Sequence, residues 1–253
     1  SGCFCPVLIV VLSVLIMTAS SAGCIGSAVK EQSGQITLTI SAAADLTYAF
    51  QEIGVAFEQE TGTKVVFNFG SSGQLAQQIR EGAPVDVFAS ASLNFIEELE
   101  KRGLIIPGTK VIYARGRVGL WPRDNGPFYP QSIQDLARSE IKRIAIANPE
   151  HAPYGMAAMQ ALQSAGVREA VKPKLVMAEN ASQTLQYAKT GNVDVAIVPL
   201  SLVIQNANPH WVLIPENLHQ PIAQALGIVK TTPHEKEARQ FVALVNSQQG
   251  RDI

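Results

Sequence analysis

The 253 residues carry 20 Lys and Arg against 21 Asp and Glu, a formal net charge of −1, which gives no basic surface for tracking nucleic acid. With 47% hydrophobic and 16% charged residues, the chain is too apolar for disorder and long enough for one large domain or two lobes with ample core. All three cysteines, Cys3, Cys5 and Cys24, lie at the N-terminal end, so the body has no disulfide, thiolate nucleophile or Cys-based metal site.

In chain order, Val7 to Met17 is almost purely apolar and is followed by Thr18-Ala19-Ser20-Ser21-Ala22-Gly23-Cys24. About eleven apolar residues are too few to span a bilayer and read as the core of an export leader. Ala22-Gly23-Cys24 is similar to the end of a bacterial lipoprotein box, with Ser21 where Leu is usual. Cleavage before Cys24 would leave a lipid-anchored protein and cleavage after Ala22 a soluble one; the anchored form is the expectation. The start at Ser1, without Met or a basic stretch, is read as an incomplete N-terminus.

From Gln35 onward the pattern is strand, turn, helix, repeated. Ile36 to Ser41 has the β-branched content of a buried strand. Asp45 opens a helix in which Leu46, Ala49, Phe50, Ile53 and Phe57 recur at helical spacing, with Gly62 as its stop. Lys64 to Phe69 is a strand, Gly70-Ser71-Ser72-Gly73 turns into a helix closing near Gly82, Val85 to Ala89 is a strand, and Leu93 to Arg102 a helix. Val111 to Trp121 reads as one long strand and Ile133 to Leu136 as a short helix. Ile141 to Ala147 is a strand, Asn148 to Tyr154 a loop, and Gly155 to Ser164 a helix. Lys174 to Met177 and Val193 to Val198 are strands flanking a helix from Ala181 to Thr190, and Leu200 to Asn206 is a weaker helix. Val212 to Ile214 and Ile222 to Val229 are strands, and His234 to Ser247 is the closing helix.

Such alternation predicts an α/β protein of two lobes, each a mainly parallel sheet flanked by helices. The expected division is a leader over 1–24, a linker over 25–35, a first lobe from 36–115 and 226–253, and a second from 116–225. The final helix returns to the first lobe.

Ligands of open α/β sheets sit beyond the carboxyl ends of the strands. Four strand-to-helix turns are built there from small or polar residues: Ala42 to Asp45, Gly70 to Gly73, Pro153 to Gly155, and Asn180 to Ser182. Each opens a helix with unsatisfied N–H groups and the positive end of its dipole, which suits an anion and needs no Lys or Arg. A competing reading makes Asp45, Ser71, Ser72 and Ser182 plain N-caps. His151, His210, His219 and His234 show no metal-ligand spacing, and a structural role is expected of His151. No nucleophile with a base, no phosphate loop ending in Gly-Lys-Ser/Thr and no HExxH is found, so an enzyme is not expected.

Ile40 to Leu46 (ISAAADL), Phe69 to Leu75 (FGSSGQL), Gln78 to Phe88 (QIREGAPVDVF), Ala147 to Gly155 (ANPEHAPYG) and Ala178-Glu179 resemble the molybdate-binding proteins of ABC transporters, the ModA family. The likeness runs from about Ile36 to the last residue. It implies a two-lobed periplasmic binding protein that holds molybdate or tungstate, serves a membrane permease, needs no cofactor and works as a monomer, lipid-anchored or free. The family's second-turn serine matches Ser72, which would offer hydroxyl and N–H, and its backbone donors match Tyr154 and Ala181. Ser71 and Asn180 stand beside these positions. Two positions depart: a first-turn serine is Asp45 here, and a tyrosine hydroxyl donor falls at Pro199, which has no donor.

An ionised carboxylate about 4 Å from one negative charge costs about 4 kcal/mol at an effective dielectric near 20. Asp45 must therefore turn away to cap its helix, carry a proton and donate, or ligate the anion's central metal through a carboxylate oxygen. Capping is the expectation. Another small oxyanion, such as sulfate, thiosulfate or a phosphonate, and a module feeding a sensor kinase remain the alternatives to transport of molybdate.

Overall fold

The computed structural model describes residues 34–204, 206 and 208–253; the expected leader, with its Cys24, lies outside them. The chain first runs β1 (Thr37–Ala43), α1 (Thr47–Thr61), β2 (Lys64–Gly70), α2 (Ser72–Arg80), β3 (Val87–Ser90), α3 (Leu93–Lys101) and β4 (Val111–Gly116). It continues through β5 (Val118–Pro122), β6 (Ile144–Ala147), α4 (Pro153–Ser164), α5 (Arg168–Val171), β7 (Leu175–Ala178), α6 (Ala181–Lys189), β8 (Val195–Pro199), α7 (Leu200–Val203) and β9 (Val212–Leu213). It ends with β10 (Ile222–Ile228), α8 (Glu235–Val245) and α9 (Gln248–Asp252).

Two five-stranded sheets result, ordered β2-β1-β3-β10-β4 and β7-β6-β8-β5-β9. Within the first, β1 runs parallel to β2 and β3, while β10 is antiparallel to β3 and β4. The second repeats this plan: β6 is parallel to β7 and β8, and β5 is antiparallel to β8 and β9. The sheets are thus mixed, because β5 and β10, the strands that follow the passages between lobes, enter their sheets reversed.

Both passages depart from the expected boundaries. The single strand foreseen over Val111 to Trp121 is two strands in different sheets, with Arg117 between them. Its apolar, β-branched content suits either sheet, so composition alone shows no break. The return passage precedes Ile222, not residue 226, since Ile222 already pairs with Gly116 of β4.

Leu38 and Ile40 in central β1 are fully buried, as a strand covered on both faces requires, whereas edge strand β2 alternates and leaves Val66 exposed. Phe50, Ile53 and Phe57 form the buried stripe of α1, and Gly62 closes that helix with a φ of 72°. Phe241 of α8 sets its ring edge against Phe50 and Phe57, with centroids 5.8 and 5.4 Å apart. Each such ring contributes roughly 1.5–3 kcal/mol of apolar burial. The closing helix therefore packs against α1.

Candidate functional site

Four helices begin at the carboxyl ends of parallel strands: a 3-10 turn, Ala44–Leu46, after β1; α2 after β2; α4 after β6; and α6 after β7. Ser72 and Ala181 are the first residues of α2 and α6, and Tyr154 is the second of α4. Their N–H groups have no acceptor one turn earlier in the same helix.

The folded chain brings these starts together in two pairs across the lobes. Ser182 Oγ donates to Ala44 O at 2.8 Å and lies 3.3 Å from Thr47 Oγ1, joining the first turn to the fourth. Gly73 N donates to His151 O at 2.9 Å, joining the second turn to the third. A β-carbon on Gly73 would stand 2.9 Å from both Cβ and O of His151, so glycine is what lets the two backbones meet. Ser71 Oγ donates to Gln74 Oε1 at 2.8 Å and lies 2.7 Å from His151 Nδ1. A hydroxyl has one hydrogen, so His151 Nδ1 carries the proton in that contact. Gln74 Nε2 also reaches Glu179 Oε1 at 3.5 Å. The lobes are closed on each other.

Ser72 is fully buried, and its Oγ accepts from Ala91 N at 2.9 Å, which leaves its hydroxyl hydrogen to donate elsewhere. Ser71, by contrast, spends its hydroxyl on the rim contact with Gln74 and His151. Asn180 is the residue that caps: its side chain accepts from Gln183 N at 3.0 Å. Ser71 and Ser182 make no side-chain cap, and Pro199 ends β8 with no N–H to give. His151 lies in the contact between the second and third turns.

Asp45 does not cap its helix, contrary to expectation. The 3-10 turn has no side-chain cap, and α1 starts only at Thr47. Asp45 is 2% exposed; its Oδ2 accepts from Gln224 Nε2 at 2.7 Å, and its Oδ1 has no partner among the described residues. Gln224 Nε2 also donates to the Tyr154 hydroxyl at 2.5 Å. One amide on β10 thereby joins the first helix start to the third. Burial raises the Asp45 carboxyl from its ordinary 3.8 to about 6, with the hydrogen bond from Gln224 acting against that rise. The Tyr154 and Tyr113 hydroxyls are pushed well above their usual range by burial first and then by the Asp45 charge.

Sequence reasoning missed Gln224 and Ser201. Gln224 is 3% exposed in an otherwise apolar strand, IAQALGI, and that lone polar residue was the available signal. Ser201 of α7 donates from Oγ to Asp45 O at 2.8 Å, two residues beyond the Pro199 that lacks a donor. Nothing local marks that role. Among the described residues no group of His, Cys, Asp and Glu could hold a metal ion, and no helix is long and apolar enough to cross a membrane.

Residues 38–253 match the family model for bacterial extracellular solute-binding proteins. The chain is 33% identical over 231 residues to the molybdate-binding protein ModA of Rhodobacter capsulatus, covering 90% of this chain and 89% of that one. It is 37% identical over 189 residues to the protein of the same name from Azotobacter vinelandii, covering 73% and 74%. The solved structure of the Azotobacter vinelandii periplasmic molybdate-binding protein superposes with a TM-score of 0.78 at 31% identity, over 84% of this chain and 94% of that one.

Proposed function

Because the chain belongs to the ModA family of bacterial extracellular solute-binding proteins, we propose that it captures molybdate or tungstate outside the cytoplasm and passes it to an ABC permease. It is a solute-binding protein and not an enzyme. In this reading the N–H groups of Asp45, Ser72, Tyr154 and Ala181 and the hydroxyl of Ser72 point to one tetrahedral dianion. The protein acts as a monomer, tethered through a lipid on Cys24.

One observation carries the reading: the cross-lobe bonds from Ser182 to Ala44 and from Gly73 to His151 hold four helix starts in two adjoining pairs. None of the four turns contains Lys or Arg. Neutral donors in a dry cleft favour a fully deprotonated oxyanion, which accepts from every N–H and O–H, and each charge-assisted bond contributes roughly 1.5–3 kcal/mol. Closure removes water and strengthens each of them.

Calorimetric titration of the protein with molybdate, tungstate, sulfate and phosphate tests this. Sub-micromolar binding of molybdate or tungstate with weak sulfate binding is expected, and the opposite order rejects the assignment.

A further inference from the structure

Asp45 lies in one of the four helix starts assigned to the anion, yet it is a carboxylate. Its side chain is fixed: Oδ2 is held by Gln224, the backbone oxygen by Ser201, and the preceding carbonyl by Ser182. Oδ1 alone is buried without a partner among the described residues, at the junction of the first and third helix starts. A buried acceptor left unpaired is costly, and an ionised one more so, unless something arrives to bond it. The oxygens of a dianion cannot hydrogen-bond a bare carboxylate oxygen, but they can accept from a protonated one.

Resting on the oxyanion reading above, we propose that Asp45 meets the bound anion as a neutral carboxylic acid, its Oδ1–H donating to an anion oxygen, so that capture from neutral or alkaline solution takes up one proton. The only bond formed is that O–H, and the proton comes from water or buffer. Asp45 thus replaces the lost serine hydroxyl as a donor, but one that is armed by pH.

The surroundings favour the neutral form. Facing the carboxyl are Tyr154 from α4 and Tyr113 from β4, both neutral, and the uncharged Gln224 from β10. From α6 and α7 come Ser182 and Ser201. Three cations share a cavity with Tyr113, Tyr154 and Gln224: Arg115, which is exposed, Arg117, which pairs with Glu216 at 2.8 Å, and Arg251. None of them is among the influences on Asp45. His151 and Glu179 are engaged at the rim with Ser71 and Gln74. Burial raises Asp45 only to about 6, so it is ionised in neutral solution, and an adjacent dianion raises its proton affinity further.

The test is calorimetric titration of the full chain with molybdate in amine buffers of differing ionisation enthalpy, repeated from about pH 6.5 to about pH 8. The expected result is uptake of about one proton per anion near pH 8 and an affinity that falls roughly tenfold per pH unit across that range. In Asp45→Asn both the uptake and the slope disappear. Should that variant fail to fold, the proton count of the unaltered protein decides alone. Molybdate binding with no proton uptake overturns this inference and leaves the ligand assignment standing; no molybdate binding at any pH overturns both.

Discussion

Gln224 Nε2 lies 2.7 Å from Asp45 Oδ2, joining residues 179 positions apart at the heart of the closed molecule. The bond links the first turn of the chain's body to the strand that returns from the second lobe. Through the same amide it reaches Tyr154, so one side chain aligns parts of both lobes.

That arrangement makes the unliganded protein sensitive to pH. The folded-state pKa of Asp45 is raised from 3.8 to about 6, so protonation favours the fold. Its contribution is complete below the unfolded value and is lost as pH rises through about 6, a difference of about 3 kcal/mol. Glu140, held down to about 2 chiefly by its bond from Arg138, acts the other way and only in more acid solution. Urea unfolding should show stability increasing as pH falls from about 6.5 to about 4.5, between the folded and unfolded values of Asp45. Asp45→Asn should flatten that trend; an unchanged trend would place its origin elsewhere.

Ser72→Ala should weaken molybdate binding by roughly tenfold to a hundredfold, the value of one hydrogen bond to a charged acceptor. The same change strips Ala91 N of its buried acceptor and should lower stability by about 1–3 kcal/mol. Titration and denaturation measured on the same variant separate the two effects. Unchanged affinity would remove Ser72 from the site.

Gly73→Ala tests closure and not chemistry. The added methyl meets His151 Cβ and O at 2.9 Å, across the line where the lobes touch. Each lobe should fold normally, while binding weakens and anion no longer compacts the protein in small-angle X-ray scattering. Compaction equal to that of the unaltered protein would show that the two turns part without cost.

Much of this was legible along the chain because it is locally encoded. Phe50, Ile53 and Phe57 repeat at helical spacing, Gly62 takes the left-handed turn that ends their helix, and small residues follow the strands where helix starts must lie open. Two readings failed for a common reason. Val111 to Trp121 looks like one strand because either half suits any apolar sheet, and only the partners of each half separate them at Arg117. Asp45 has the composition of a cap, but burial and Gln224 claim its carboxylate, and Asn180 does the capping in its own helix.

The sequence by itself determined the alternation of strands and helices, the two-lobed α/β class and the residues at the helix starts, since each depends on neighbours a few positions away. Only the tertiary structure decided which starts face one another, which serine keeps a free hydroxyl, and that the Asp45 carboxylate is bonded by a glutamine. Those contacts join residues tens to hundreds of positions apart, and the free energy of burying or pairing them exists only once the lobes have closed.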